Sequence, residues 1–558
     1  MTDLLGALGL IFVVSAVLLV VAHQFSIPVV PVYIITGLML PPLVGQDLTL
    51  ELAQWGIAFL VFVFGVNVEP TRLEAVTGDS EFVAAESVLI LGGFGYGAAL
   101  LLGLDALNAI YFSIAAALSS SLVGQDLIRR EIYINLLYGR LVQSVHFIQD
   151  LIAIVLILVL SASVFTPDAI AAALGYGVLL LLIAVVVRVY LFGTLIRLSG
   201  GSDELLILTA IGMLIGFIIG SELAGVSIAI GAFAAGLAIT KEFTQNLALL
   251  NGLDSLESFF SAIFFVVLGS LVTVPTLDVV IVAATLIVLI AILKPIVTIY
   301  LLLYRGYETR TACLTSFSLD QVSEFSLIIA IQAFILGRIA PDIFQAIILA
   351  SAVTMITSTA TKQFEEELYR FISRYPIFTS AHEKMAEQSN VESDLSDHIV
   401  LIGYGKLGTQ VGKVCHELEE DLVVVDHDPD QLAWARREHS NYVFGDAMDP
   451  ETWQRAGIDS CRLIYSTVPD RRLSERLLEI ETEADVIVRA DRTDEALDLF
   501  EQGAAYVNVP DFLASERLTD TVRDLLAGER TTETLRDDGT ASLRDTQVDL
   551  QEAGPWNR

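Results

Sequence analysis

Residues 117–158 read ALSSSLVGQDLIRREIYINLLYGRLVQSVHFIQDLIAIVLIL. The second half runs on into LVQSVHFIQDLIAIVLILVL (141–160), an apolar stretch of membrane-spanning length with Gln149 and Asp150 about ten residues from its start. A charged side chain at that depth is costly in lipid, so such residues line a pathway instead. The first half carries Ser119, Ser120 and Ser121 inside another apolar run, a place where a helix can unwind. A short loop holding Arg129, Arg130 and Arg140 joins the two.

Outward from this stretch the same texture continues. The chain has 558 residues, 54% of them hydrophobic, and a mean hydropathy of +0.66, well above a soluble protein. Apolar runs fill residues 1–362. They predict helices near 4–22, 27–43, 53–68, 83–103, 107–128, 141–162, 168–195, 203–220, 223–240, 257–273, 277–303, 311–336 and 341–361. The weakest breaks are Pro41–Leu50 and Gly220–Gly225. Alternate loops hold Arg72, then Arg129, Arg130 and Arg140, then Arg197, Lys241, Arg305, Arg310 and Lys362, whereas the other set holds almost only Arg338. By the positive-inside rule the first set is cytoplasmic, which puts the amino terminus outside and the end of the chain inside. No cleavable signal is expected, because the first apolar run lacks a basic lead-in and is long enough to span.

Net charge is −34, of which −22 falls in residues 363–558. That excludes a nucleic-acid partner, which needs clustered positive charge. It reads as adaptation to a salty cytoplasm, hence a halophilic prokaryote, rather than as an attraction for cations. Cys313, Cys415 and Cys461 offer neither a disulfide framework nor a metal site.

Asp150 is the leading functional candidate. Ionised, a carboxylate there holds a dehydrated Na⁺ or K⁺; neutral, it holds a proton, and competition for one group couples two fluxes. Lys294, deep in the eleventh run beside Pro295, reads either as an internal partner of Asp150 or as a snorkelling residue at a kink. Glu324 either lines an ion funnel or satisfies a broken helix. His146, one turn before Asp150, reads as a satisfied bundle histidine. A second polar interruption, Ser318-Leu319-Asp320-Gln321-Val322-Ser323-Glu324, falls in the twelfth run. With the seventh run as a connector, runs 5 and 12 hold matching places in two six-helix halves, as in inverted-repeat transporters whose unwound helices cross at the binding site. The expected fold is therefore an all-α polytopic membrane domain of about thirteen helices followed by a soluble α/β domain.

On ALSSSLVGQDLIRREIYINLLYGRLVQSVHFIQDLIAIVLIL, GAFAAG (231–236) and VSEFSL (322–327), the chain resembles the second cation/proton antiporter family, in its Kef-type potassium efflux branch. The likeness extends to about residue 527. It implies Asp150 as the carboxylate carrying ion and proton, Gln149 as its companion, Lys294 as the buried basic position, and a homodimer whose core moves against a dimerisation domain. The absence of a second acid beside Asp150 points to one-for-one electroneutral exchange.

Residues 363–396 read as a helical, then flexible, cytoplasmic linker. Next, HIVLIGYGKLGTQVGKVCHELEEDLVVVDHD gives a strand, the loop Gly403-Tyr404-Gly405-Lys406-Leu407-Gly408, a helix, and a strand ending at Asp426 and His427. In that context GxGxxG is a nucleotide fingerprint, with amides and a helix N-terminus for phosphate and Asp426 for ribose. The following VFGDAMDPETWQRAGIDSCRLIYSTVPD resembles the regulator-of-K⁺-conductance (KTN) domain through Gly445-Asp446-Ala447, and Thr467 falls in the same segment. Lys406 stands where glutathione-gated members carry arginine, so glutathione is not carried over; NAD(H), AMP or ATP remain the candidate ligands. The Rossmann-like domain is expected over 397–527 and a disordered tail over 528–558. A dehydrogenase is disfavoured, since no substrate lobe or catalytic set beyond His427 accompanies the fingerprint. A channel is disfavoured by the number of runs and the missing filter motif. The remaining alternative is a constitutive Na⁺/H⁺ antiporter with a non-regulatory Rossmann domain.

Overall fold

The structure, a computed structural model, describes all residues except 1, 25–26, 41–45, 69–77, 135, 163–164, 199–201, 240–246, 376–387, 393–394 and 541–558. Arg72, Lys241 and part of the Pro41–Leu50 break therefore lie outside the described residues. The chain divides into two compact units. The first comprises 1–129, 139–301 and 313–374; the second comprises 130–138, 302–312 and 375–558.

The first unit is helical throughout its described length. Its helices, with the short segments at the unit boundaries, are α1 (Thr2–His23), α2 (Val29–Met39), α3 (Gln46–Asn67), α4 (Gly78–Leu101), α5 (Ala106–Ala117), α6 (Ser121–Leu127), α7 (Arg129–Tyr133) and α8 (Leu137–Leu160). They continue as α9 (Pro167–Val186), α10 (Gly193–Leu198), α11 (Asp203–Leu223), α12 (Ile228–Leu237), α13 (Leu247–Ser270), α14 (Leu277–Val288) and α15 (Lys294–Tyr304). The last are α16 (Thr309–Phe317), α17 (Glu324–Ile335), α18 (Pro341–Gln363) and α19 (Glu365–Ile372). Among the described residues, eight helical runs are long and apolar enough to cross a membrane, and five shorter apolar helices accompany them. These match the thirteen expected segments one for one. The largest boundary error is α13, which starts at Leu247, ten residues before the expected start.

Two of the expected spans are broken. α5 gives way to α6 across Leu118–Ser120, and α16 to α17 across Ser318–Ser323. α14 widens into a π turn at Leu289–Leu293 before α15 begins at Lys294. Pro295 explains the turn, since it lacks an N–H and its ring displaces the carbonyl four residues back. GAFAAG lets α12 lie directly on its neighbours: a Cβ on Gly236 would sit 2.1 Å from the Phe62 carbonyl oxygen of α3. Phe64 then stacks on Phe233 and meets Phe325 edge-on, joining α3, α12 and α17. The exposed side of α9 is lined by Val178, Leu179, Leu182, Ile183 and Val186, a surface suited to hydrocarbon.

The second unit is built around a six-stranded parallel sheet. β1 (Ile399–Ile402), β2 (Leu422–Asp426), β3 (Asn441–Phe444), β4 (Leu463–Ser466), β5 (Asp485–Arg489) and β6 (Tyr506–Asn508) take the order β3-β2-β1-β4-β5-β6, a doubly wound dinucleotide fold. Near-continuous apolar runs such as IVLI and LVVVD suit strands buried on both faces. The linker is not flexible to its end. Asn390 bridges Tyr442 and Ser389 accepts from the Phe444 amide, because β3 is an edge with free amides to fill. The tail is not disordered from its start either. Residues 532–540 are helical, and Thr531 and Thr534 cap one another's amides; 541–558 lie outside the described residues.

Candidate functional site

The two breaks meet. Ser119 Oγ donates to the Leu319 carbonyl at 3.0 Å, and Gln321 Nε2 donates to the Ser120 carbonyl at 3.4 Å. Unwound backbone in a membrane needs such partners, and side chains from other helices supply more. The Gln149 carbonyl oxygen accepts from the Ser119 amide at 2.9 Å. Lys294 Nζ donates to the Leu118 carbonyl at 2.7 Å and the Gln321 carbonyl at 3.3 Å, so one ammonium closes both breaks. Glu324 Oε1 accepts from Ser121 Oγ at 2.6 Å and from the Leu122 amide at 3.2 Å, at the N-terminus of α6. Ser120 caps that helix itself, accepting from the Val123 amide at 3.2 Å. Thus the residues of all three motifs, Ser119–Ser121, Gln149–Asp150 and Ser318–Glu324, occupy one place.

Asp150 is 2% exposed, and Ser121, whose hydroxyl donates to Glu324, is a near neighbour of it. The single hydroxyl proton serves one carboxylate at a time. Among the described residues, buried polar atoms without a protein partner concentrate here: Asp150 Oδ1, Asp320 Oδ1, Gln321 Oε1, Glu324 Oε2 and both ring nitrogens of His146. Such atoms are rare in folded proteins. A set of buried oxygens without protein partners is what a dehydrated alkali cation requires.

Two expectations meet a different arrangement in this geometry, and one residue is added. His146 is buried but unsatisfied, packed against Gly124 of α6, whose added Cβ would lie 2.5 Å from its Cε1. Lys294 spends its hydrogen bonds on backbone carbonyls rather than on Asp150, because both breaks expose acceptors within its reach. Asp320, passed over beside Glu324, is as buried as Asp150; a second acid inside an apolar run was the signal that could have found it.

In the second unit, the glycine loop turns at Gly403, with φ +89°, and α20 (Lys406–Glu417) starts just past it. Gly408 permits the turn, since its Cβ would sit 2.0 Å from the Gly403 carbonyl oxygen. A cavity of about 250 Å³ is lined by Gly403, Gly405, Asp426, His427, Asp446, Ala447 and Thr467, joined by Arg310 and Tyr138 of the unit's two shorter stretches. Across the loop lies an open pocket of about 500 Å³ with Lys406, Leu407, Arg489 and Asn508 on its walls. Of the expected ligand residues, Gly408 lines neither space, and nor does Tyr404. The Tyr404 side chain is buried in an apolar cluster and bonds Glu438 and His439, while its amide donates to Asp426 at 2.6 Å. Asp446 pairs with Arg310 at 2.7 Å, and its amide donates to Glu308 at 3.3 Å. Burial, with the Asp449 and Asp446 carboxylates close by, holds Glu308 well above the usual carboxylate range.

Residues 10–363 match the sodium/hydrogen exchanger, transmembrane family. The chain belongs to that family. Residues 399–510 of this exchanger match the TrkA-N domain. The exchanger is 24% identical to YbaL of Escherichia coli (strain K12), by its name a cation/proton antiporter, over 91% of this chain and 94% of that one. It is 26% identical to the glutathione-regulated potassium-efflux system protein KefC of Enterobacter sp. (strain 638), over 89% and 81%. Among solved structures, the sodium proton antiporter MjNhaP1 from Methanocaldococcus jannaschii aligns with a TM-score of 0.46 at 17% identity, over 66% of this chain and 97% of that one. The exchanger is thus a multi-pass cation/proton antiporter with a TrkA-N domain.

Proposed function

We propose that this exchanger moves a monovalent cation, K⁺ ahead of Na⁺, against protons by alternating access at Asp150, under the control of a nucleotide held by the TrkA-N domain. The observation that carries the reading is a buried carboxylate with an unpartnered oxygen where two broken helices cross. A cation arriving from the cytoplasm replaces the proton on Asp150, completing its shell with Ser121 and unwound backbone; the core then turns to release the cation outside and collect a proton. Gln149 and Lys294 hold the crossing in shape through Ser119, Leu118 and Gln321. K⁺ is placed first because the potassium-efflux protein KefC aligns over nearly the whole chain. The basic loops put the carboxyl-terminal unit in the cytoplasm, and the working form is a homodimer.

The regulatory ligand is an adenine nucleotide. Asp426 and His427 flank the ribose position, and the amides at the start of α20 meet phosphate. NAD(H) is favoured over AMP and ATP, because the pocket across the loop, with Lys406, Arg489 and Asn508, gives a second half of the ligand somewhere to lie.

The test is cation-dependent collapse of a pH gradient in proteoliposomes, with K⁺ and Na⁺ matched, with and without NADH, AMP and ATP. Collapse that needs an intact Asp150 supports the reading, and Asp150→Asn behaving like wild type overturns it. Exchange indifferent to every nucleotide leaves a constitutive antiporter.

A further inference from the structure

We propose that Asp320 is a second cation- or proton-binding carboxylate of the exchanger, a station on the approach to Asp150. The proposal rests on the reading of Asp150 as the exchange group.

Asp320 lies in the unwound stretch between α16 and α17, is 3% exposed, and leaves Oδ1 without a protein partner. Structural duties that would explain a buried acid there are taken by other residues. The N-terminus of α17 is capped by Ser323, which accepts from the Phe325 amide at 3.0 Å. The carbonyls exposed by the two breaks are met by Lys294, whose ammonium is near Asp320 but bonds Leu118 and Gln321. An acid that does not cap α17, and whose neighbouring cation bonds elsewhere, keeps Oδ1 for a mobile one.

What faces it fits a cation path. Thr361 of α18 is a near neighbour of Asp320. It continues a row of hydroxyls along α18, Ser351, Thr354 and Ser358, at helical spacing and fully buried. Thr354, Ser358 and Thr361 donate their protons to carbonyls of their own helix, at 2.9–3.2 Å. Their oxygens therefore present lone pairs, and a row of acceptors suits a cation and not an anion. Thr354 Oγ1 already accepts from the Val322 amide, which fixes the row against the unwound stretch. Chain order gives the direction. The chain crosses the unit through α16 and α17 and returns through α18, so the Thr361 end of α18 lies at the same end as the start of α16. Asp320 comes four residues before Glu324 along that path, and Glu324 bonds Ser121, a near neighbour of Asp150. A cation entering at that end meets Thr361 and Asp320 before it meets Asp150.

The experiment compares full-length wild type, Asp320→Asn, Asp320→Glu and Thr361→Val in proteoliposomes, with Asp150→Asn alongside, reading KM and kcat for K⁺ and Na⁺ separately. Loss of one oxygen ligand to an ion is expected to raise KM roughly tenfold in Asp320→Asn with a smaller change in kcat. Asp320→Glu restores KM, and Thr361→Val raises it to a lesser degree. Wild-type KM in Asp320→Asn, or a fall in kcat alone that glutamate does not rescue, overturns the proposal. Should Asp320→Asn fail to assemble, an unchanged KM in both Asp320→Glu and Thr361→Val overturns it equally. Failure of the Asp150 reading is seen separately, as exchange that survives Asp150→Asn, which overturns the station whatever the KM; a raised KM in Asp320→Asn with exchange lost in Asp150→Asn supports it.

Discussion

Gly124→Ala puts the crossing to a test in which two effects of known sign oppose each other. Gly124 lies inside α6, where replacing glycine by alanine contributes about 1 kcal/mol of helix propensity. At this position, however, the new Cβ would stand 2.5 Å from His146 Cε1, 2.7 Å from Gln321 Nε2 and 2.7 Å from the Ser318 carbonyl oxygen. A side chain can rotate away, but the Ser318 carbonyl belongs to the other broken helix and cannot. Relief requires α6 to part from the Ser318–Ser323 stretch by roughly half an ångström or more, and overpacking of this kind costs about 1–3 kcal/mol. The net expectation is a loss of stability of about 0–2 kcal/mol after the propensity gain, hence about 1–3 kcal/mol relative to a glycine-to-alanine change without the clash, together with a marked fall in antiport, since Ser121, Asp150 and Glu324 are assembled by this contact. Gly216→Ala in α11 is the control, because nothing lies within 4 Å of its Cβ and only the propensity gain remains. The assays are thermal unfolding of purified full-length protein in detergent and pH-gradient collapse in proteoliposomes. A Gly124→Ala protein as stable as Gly216→Ala, with wild-type exchange, would refute the close crossing.

Gly408→Ala is expected to abolish nucleotide binding, measured by calorimetry with NADH, AMP and ATP, because the turn at Gly403 cannot form around its Cβ. Glu308→Gln is expected to gain on wild type as pH rises. The folded state holds Glu308 above the ordinary value of about 4.3, so its contribution is full below that value and is lost as pH climbs through the raised one; thermal unfolding of both proteins across pH measures the gap. Arg338→Ala uncovers the Leu160 and Ala162 carbonyls that its guanidinium caps at 2.6 and 2.7 Å, with an expected loss of about 1–3 kcal/mol in thermal unfolding.

Much of this protein is determined by its sequence alone, because hydrophobic periodicity and chain chemistry act locally. Every expected membrane segment is a helix in the structure, since a run of twenty apolar residues has one way to satisfy its backbone in lipid. The serine break at 119–121 and the second break at 318–324 were legible as polar residues where lipid tolerates none, and GxGxxG after IVLI announced the doubly wound sheet. Asp150 stands out for the same reason, as a charged residue inside an apolar run. What the tertiary structure alone decided is who meets whom. Lys294 reads from sequence either as a partner for Asp150 or as a snorkelling residue, yet it closes two carbonyls, of Leu118 and Gln321, because both breaks leave acceptors within its reach. His146 and Asp320 carry no local mark separating a satisfied polar group from an unsatisfied one; only the arrangement of neighbours settles that. Tyr404, one residue into the glycine loop, turns its ring into the core because the tight turn points successive side chains to opposite sides. Sequence fixes which groups are available at which depth, and the crossing of helices far apart in the chain decides which of them are left with a free lone pair.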